Sequence, residues 1–427
     1  MMTSVKRFFA DRFERTRIRF ICSIFLSFTL ILLIIILLTS KQNQTLFQKP
    51  LGEDFAGFYY AGDILNKDGP EWLYNSQHQH RKYHQLFPHQ KQETSLPYVH
   101  PPFVAYFFRP ISFIPYPAAF VLWVVLSIGL YLAGFLLIMK VSPSLAAYDR
   151  RTTLCVVLAF EPFLMECFLG GQLSTVAFFS VCLGYFFQQR NHSFASGMAL
   201  GMLFYKPTLL VLILPMLALT RSGLSLLGLA VTGLILAGTS MFAVGWEGAF
   251  NYLEALQRFS RTISTFLPLR SYKYIDINSF LRLLLGGTSE LQVVLFVILI
   301  VSFLSVFFVK WASFNKQDNA SKQLLWAATL TGTPVINFYV GIYDSILVVA
   351  GILITIDVVL NHFSTEAHRI PFMLQILLSL LFVVSWINQP LAMITNIQCY
   401  TLVLLSLLIY QFSIDRKLVF NKSRCFL

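Results

Sequence analysis

The chain has 427 residues, of which 56% are hydrophobic and 12% are charged, and its net charge is +12. Soluble domains typically carry about 25% charged residues, so this composition excludes a soluble globular domain and predicts a polytopic membrane protein. The basic residues cluster beside the first and last apolar runs without any nucleic-acid-binding motif, so we expect membrane lipids and no nucleic acid as partners. The six cysteines form no CxxC pair and indicate neither a disulfide framework nor a zinc site.

Apolar segments near the length of about 20 residues that crosses a hydrocarbon core recur along the chain and predict an all-α fold of roughly 11–12 transmembrane helices. The expected spans are 18–39, 117–139, 152–169, 173–188, 194–205, 207–220, 223–245, 290–311, 323–340, 343–361, 370–388 and 391–412. Two short spans meet at Lys206-Pro207, where proline removes a backbone donor, so we expect a broken or re-entrant pair there. A further short, partly embedded helix is expected over 277–288.

Basic residues indicate which ends of the spans face the cytoplasm. A basic N-terminus over 1–17 and a tail over 413–427 both fall inside by the positive-inside rule. Alternation then leaves two outer loops, 40–116 and 246–289, within a single integral-membrane domain, 1–427. The first loop is far longer than ordinary helix connections and rich in aromatic residues and proline, so we expect it to be structured and functional.

The first outer loop opens with the stretch "GEDFAGFYYAGDILNKDGPEWLY". Glu53 and Asp54 follow the first span by about 15 residues, which places them near the membrane surface. A helix that begins here carries Tyr59, Tyr60 and Asp63 on or near one side. These residues are candidates for a binding site, although solvated acids and interfacial aromatic anchors would leave the same pattern. Near the end of the loop, His100 precedes two prolines, which push its backbone toward an extended state.

Four ordered elements of the chain resemble those of glycosyltransferase family 87: "EDF…YYAG…GPEWLY", "YVHPPF…RP…IPYPAAFVLW", "GGQLSTVAFFSVCLGYFF" and "SGMALGMLFYKPTLLVLILPML". The resemblance covers about residues 50–220 and is weaker over 220–412. It implies a GT-C membrane fold and an enzyme that uses a polyprenyl-phosphate sugar, the type members being α-mannosyltransferases. In that family an Asp of the first outer loop serves as the base, and Asp54 occupies this place. The family's Tyr-Pro-Pro element is His100-Pro101-Pro102 here.

The resemblance therefore implies an inverting glycosyltransferase that moves a hexose, mannose foremost, from a polyprenyl-phosphate carrier to a lipid or glycan acceptor. The active site would face the extracytoplasmic side of the cell membrane. One carboxylate suffices as base, because the leaving phosphate is weakly basic and needs no general acid. Neither outer loop contains a D-x-D element, so we expect no cofactor and no required metal, while a bound divalent cation stays open. The alternatives are a transporter or flippase of lipid-linked sugars, and a lipopolysaccharide-type polymerase or ligase.

A departing phosphate needs cationic partners, and several basic residues could supply them. Lys206 at the helix break is costly in a bilayer unless it is functional or paired, so it contacts the phosphate, snorkels to the interface or pairs with an acid. The second outer loop offers Arg258, Arg270 and Lys273 for the same clamp.

Polar residues at the predicted outer helix ends are candidates for sugar or acceptor contacts. Gln172 follows two glycines that permit a tight turn, and its amide could hydrogen-bond sugar hydroxyls or simply cap the helix. Acids are rare inside spans, which makes Glu166 a candidate. Tyr343 and Asp344 open a later span, where an aspartate is also favoured by the helix dipole alone.

The predicted topology can be tested by cysteine labelling in intact cells. A cysteine introduced at Asn75, in a background whose six native cysteines are replaced, should react with an impermeant thiol reagent, because residues 40–116 are expected outside. Labelling that appears only after the membrane is opened would reverse the whole arrangement.

Overall fold

A computed structural model of the chain describes residues 2–91, 96–266, 271–362 and 370–424, with side chains at all of these positions except 2–13, 262–266, 315 and 416–424. Every regular element in these ranges is a helix, so the predicted all-α class is confirmed. One predicted site residue, Arg270, lies outside the described residues.

Sixteen α-helices occur in the described ranges. In the first half they are α1 (Met2–Thr39), α2 (Phe55–Lys67), α3 (Ser76–Leu86), α4 (Pro102–Ser112), α5 (Tyr116–Val141), α6 (Pro143–Leu158), α7 (Ser174–Gln189) and α8 (Ser193–Gly201). The second half has α9 (Ile213–Leu219), α10 (Gly223–Phe266), α11 (Ile277–Leu284), α12 (Glu290–Ala312), α13 (Asn319–Val335), α14 (Ile346–His362), α15 (Phe372–Thr395) and α16 (Cys399–Arg424). A π-helix, Pro162–Leu169, follows α6.

Six helical segments in the described residues are long and apolar enough to cross a membrane, which makes the chain a polytopic membrane protein. They are Glu14–Thr39, Tyr116–Val141, Gly223–Arg261, Glu290–Ala312, Ile342–His362 and Phe372–Thr395. A bend of 53° separates α6 from the π-helix, and the two together make a possible seventh span. This count is lower than the 11–12 expected from hydropathy, because several predicted spans correspond to helices of fewer than 18 residues.

Two boundaries differ from the sequence expectation. Helix α15 continues through Pro390 to Thr395, and α16 begins only at Cys399, so the predicted break between 388 and 391 is wrong. The turn lies instead at Asn396, which has a left-handed φ of 57°. Asparagine tolerates this conformation better than most residues. The chain therefore turns at Asn396 rather than at Pro390.

The predicted break at Lys206 is confirmed. Two short 3₁₀ turns, Met202–Tyr205 and Pro207–Leu210, flank Lys206, whose φ and ψ of −143° and 81° are not helical. Pro207 cannot donate a backbone hydrogen bond and disfavours helical geometry at the residue before it. The Lys206 side chain therefore projects from a gap between helices.

The segment between α1 and α5 is folded, as its composition predicts. Helices α2 and α4 pack so closely that a Cβ on Gly62 would lie 2.7 Å from the Phe108 backbone. Buried aromatic hydroxyls are satisfied by backbone carbonyls: Tyr60 donates to Leu96 at 2.5 Å. An unpaired buried hydroxyl would cost free energy, so these bonds fix how the segment folds onto itself.

A shielded ion network ties α3 to α2. The Lys82 ammonium lies 2.9 Å from Asp63 Oδ2 and 2.6 Å from Asp68 Oδ2, and only 11% of the lysine side chain is exposed. Burial opposes ionisation of Asp68, but hydrogen bonds from Lys82 and His78 outweigh it and keep the pKa of Asp68 below its usual value. The exposed Lys67 also contacts Asp63, at 2.6 Å.

Helix α10 has two parts with different surroundings. It bends at Gly245, whose φ of 66° and ψ of −174° are strained for any side chain. Beyond the bend, Trp246 and Phe250 are exposed, at 74% and 63%. The opposite side packs on the first loop, where the Tyr252 ring lies 5.5 Å from that of Tyr74.

Removing the shielded ammonium should destabilise the folded loop. Lys82→Met leaves two carboxylates without their main cation, and we expect a loss of up to about 3 kcal/mol in the free energy of unfolding. Lys67→Met is the matched control: it also loses a contact to Asp63, but 64% of its side chain is exposed, so less than about 1 kcal/mol is expected. Thermal unfolding of the detergent-solubilised variants measures both, and equal shifts would contradict this account.

Candidate active site

Two turns from distant parts of the sequence interlock around Asp54. The Asp54 amide donates to the Gly170 carbonyl at 3.2 Å, and the Trp123 indole donates to the Gly171 carbonyl at 3.0 Å. Gly52 and Gly171 have φ of 71° and 72°, which favours glycine. A Cβ on Gly171 would lie 2.6 Å from the Phe55 Cβ. The turn after the π-helix thus fits against the start of α2 only without a side chain at position 171.

The carboxylate of Asp54 is hydrogen-bonded through one oxygen. The Gln172 amide donates to Asp54 Oδ2. Burial raises the pKa of Asp54 to about 6, and the neighbouring charge of Glu53 adds to the rise. The Gln172 hydrogen bond and the charges of Lys273 and Lys206 act in the opposite direction. Near neutral pH, the group is therefore a carboxylate close to its titration point.

Glu53 has a different environment from its neighbour. Its side chain is 58% exposed and pairs with Lys49 at 3.4 Å. Its φ of 29° turns the backbone sharply between Gly52 and Asp54. The two adjacent acids therefore face different surroundings.

The second centre of the site is a buried ion pair. Asp344 is fully buried, and its Oδ2 accepts a hydrogen bond from the Lys206 ammonium. Its Oδ1 accepts from the Ser174 hydroxyl at 3.1 Å. The Lys206 ammonium also lies 4.7 Å from the centroid of the Tyr343 ring, a cation–π distance. Three separate elements therefore meet at this ion pair: the helix break, α7 and the 3₁₀ turn Ile342–Ser345.

The two centres belong to one site. Lys206 lies close enough to Asp54 to lower the pKa of that carboxyl, and Lys273 from the second predicted outer loop does the same. Tyr343 and Glu166 also lie within electrostatic range of Asp54. The π-helix that carries Glu166 packs against the 3₁₀ turn that carries Tyr343. Residues predicted from five separate stretches of sequence thus converge here.

His100 flanks the lysine. Its Nδ1 lies 3.4 Å from the Tyr205 carbonyl, and its ring stacks on the Tyr205 ring at 6.5 Å between centroids. Burial lowers the pKa of His100 to about 4, and the charge of Lys206 contributes to the decrease. The imidazole is therefore neutral at physiological pH, so it can donate or accept a hydrogen bond but brings no positive charge.

Three other predicted residues have different partners. The Tyr59 hydroxyl donates to the Ile114 carbonyl at 2.9 Å, and the Tyr60 hydroxyl donates to Leu96, so both hold the loop together. Arg258 donates to the Tyr74 carbonyl at 3.3 Å and lies 3.4 Å from Glu254. Helical spacing indicated that both tyrosines lie near Asp63 but could not show that their hydroxyls bond within the loop.

Sequence reasoning missed Ser174 and Trp123. Ser174 stands two residues after Gln172 in the same "GGQLST" stretch, which could have drawn attention to it. Trp123 lies within an ordinary apolar span, and nothing in its local sequence indicates a hydrogen bond to a glycine turn. Among the residues whose side chains are described, no group of three or more His, Cys, Asp or Glu is arranged to hold a metal ion.

Comparison with known proteins adds one finding. The family model described as glycosyltransferase family 87 matches residues 98–336, which is more than half of the chain. The match includes Gln172, Ser174 and Lys206, whereas Asp54 and Asp344 lie outside its bounds. The same comparisons found no matching curated protein and no matching solved structure.

Proposed function

Because the chain belongs to glycosyltransferase family 87 and is a membrane glycosyltransferase, we propose that it moves a hexose, mannose first among the candidates, from a polyprenyl-phosphate carrier to an acceptor hydroxyl. One observation carries the proposal. A carboxylate near its titration point, Asp54, lies within electrostatic range of two cations, Lys206 and Lys273. Family membership favours a transferase over a flippase of lipid-linked sugars.

Asp54 would act as the general base. The acceptor hydroxyl gives its proton to the carboxylate while its oxygen bonds to the anomeric carbon of the sugar. The bond between that carbon and the phosphate oxygen breaks, and the phosphate leaves with the electron pair. Attack from the face opposite the leaving group inverts the anomeric centre. A pKa of about 6 suits this task, because the base is mostly ionised at neutral pH but still takes up a proton.

Lys206 and Lys273 would bind the phosphate as it gains charge. Cations aimed at a developing charge are among the largest contributions to catalysis. Lys206 is well suited, since Asp344 and the Tyr343 ring hold its ammonium in place. The neutral His100 beside it could hydrogen-bond the donor without adding charge.

The donor's chemistry agrees with this placement. A polyprenyl tail must stay in the bilayer while its phosphate and sugar reach polar groups at the interface. Asp54 and Lys273 lie in the segments predicted to face outward, between membrane helices. We therefore propose a cell-membrane enzyme whose active site opens on the extracytoplasmic face.

Replacing the base should abolish most of the turnover. Asp54→Asn keeps the size of the side chain but cannot accept the proton, so kcat should fall about 10²–10⁴-fold while donor binding persists. Purified protein assayed with a panel of polyprenyl-phosphate sugars measures the effect and identifies the sugar.

Glu53→Gln is the control for that variant, since Glu53 is the adjacent acid and is mostly exposed. It should cost far less than Asp54→Asn. Equal losses would point to shared electrostatics or to a bound cation. An active Asp54→Asn enzyme would remove Asp54 from the chemistry and make Glu166 and Asp344 the residues to examine.

The role of Lys206 can be separated from its role in folding. Lys206→Met should reduce donor use about 10- to 150-fold, as expected for loss of a charge-assisted contact worth about 1.5–3 kcal/mol. It should also destabilise the protein, because Asp344 is left buried without a cation. In the double variant Lys206→Met, Asp344→Asn, that buried charge is gone, so stability should largely return while donor use stays low. A double variant with the parent's kcat/KM would show that the pair is purely structural.

A further inference from the structure

Gln172 is the side chain that holds Asp54 directly, and its position is set independently by its own backbone. The main-chain N–H of Gln172 donates to the carbonyl of Glu166, a residue of the π-helix, at 3.1 Å. The turn before it is locked by the Trp123 indole and by the contact between Gly171 and Phe55. The backbone of Gln172, and with it the start of the side chain, is therefore held in place.

The orientation of the Gln172 amide follows from chemistry. An ionised carboxylate can only accept hydrogen bonds, so the NH₂ group of the amide must face Asp54. The bond goes to Oδ2 alone, and the described residues provide no hydrogen-bond partner for Oδ1. Asp54 is therefore held at two points. Its main-chain N–H donates to the Gly170 carbonyl, and one of its carboxylate oxygens accepts from Gln172.

This arrangement gives Gln172 a partner that its local sequence does not indicate. A glutamine at an outer helix end was expected to bind sugar hydroxyls or to cap the helix. Its side chain donates one N–H to an acid of another loop, 118 positions away in the sequence. The amide oxygen and the second N–H remain for other partners.

We infer that Gln172 is a positioning residue for the reaction: by holding Oδ2, it presents Oδ1 of Asp54 as the atom that takes the acceptor's proton. The inference rests on the proposed function. Geometry of this kind matters because misplacement of a reacting group by about 1 Å can cost 10²-fold in rate. The hydrogen bond also stabilises the ionised form of the base.

The test is the pH dependence of kcat/KM in Gln172→Met and Gln172→Leu. The parent should lose activity as the pH falls through about 6, because protonated Asp54 cannot act as a base. Both variants remove a hydrogen bond that lowers the pKa of Asp54. Their acid limbs should therefore move upward by about one pH unit. At high pH, kcat should still be about 10²-fold below the parent, with the donor KM nearly unchanged.

Gln411→Met is the matched control. Gln411 is also buried, and its amide donates to Thr331 and Thr355 at 3.1 and 2.9 Å, within the bundle of α13, α14 and α16. It should lose stability but keep the parent's pH profile. Using two apolar replacements of Gln172 protects the test against the misfolding of one.

The outcomes separate the two proposals. Parent-like kcat and acid limb in both Gln172 variants would overturn the positioning role and leave the proposed function intact. A change confined to KM would also overturn it and would indicate a sugar contact instead. Full activity of Asp54→Asn, measured alongside, would overturn the proposed base itself, whatever the Gln172 variants show.

Discussion

The site depends on a steric constraint: the turn after the π-helix can meet the start of α2 beside Asp54 only because Gly171 has no side chain. A Cβ on Gly52 would lie 2.5 Å from the Phe120 ring, and one on Gly171 would lie 2.6 Å from Phe55. Both glycines also have φ values that other residues avoid. The first loop is thereby fixed to the end of a bent membrane helix, and the reach of Gln172 to Asp54 follows from that contact.

Tyr74 has a comparable organising role away from the reacting groups. Its hydroxyl donates to the His100 carbonyl at 2.7 Å, its ring packs on Tyr252, and its carbonyl accepts from Arg258. One residue near the middle of the first loop therefore joins a later part of that loop to the part of α10 beyond its bend. The Lys206 side of the site and the loop that carries Asp54 are linked through His100 by the same residue.

The sequence allowed much of this to be predicted, but not the pairing. A proline after Lys206 predicts the break, and the resemblance to a known family points to Asp54. Hydropathy alone places neither Asp344 next to Lys206 nor Gln172 next to Asp54, because these contacts join residues 138 and 118 positions apart. Tyr59 and Tyr60 show the reverse difficulty. Helical spacing places each of them near Asp63, but only the packing of the loop shows that their hydroxyls bond to carbonyls within it.

If the proposed function is correct, the buried ion pair affects how long a product stays bound. Lys206 and Asp344 together carry no net charge, and Asp344 cannot move away because Ser174 holds its other oxygen. A phosphate that arrives at Lys206 therefore shares the ammonium with a permanent competitor. In a phosphate-linked reaction, the departing carrier has more negative charge than the donor and would meet that competitor at close range. The carrier phosphate would therefore bind Lys206 less tightly and leave faster. Faster release would suit an enzyme that must release a lipid before each new cycle.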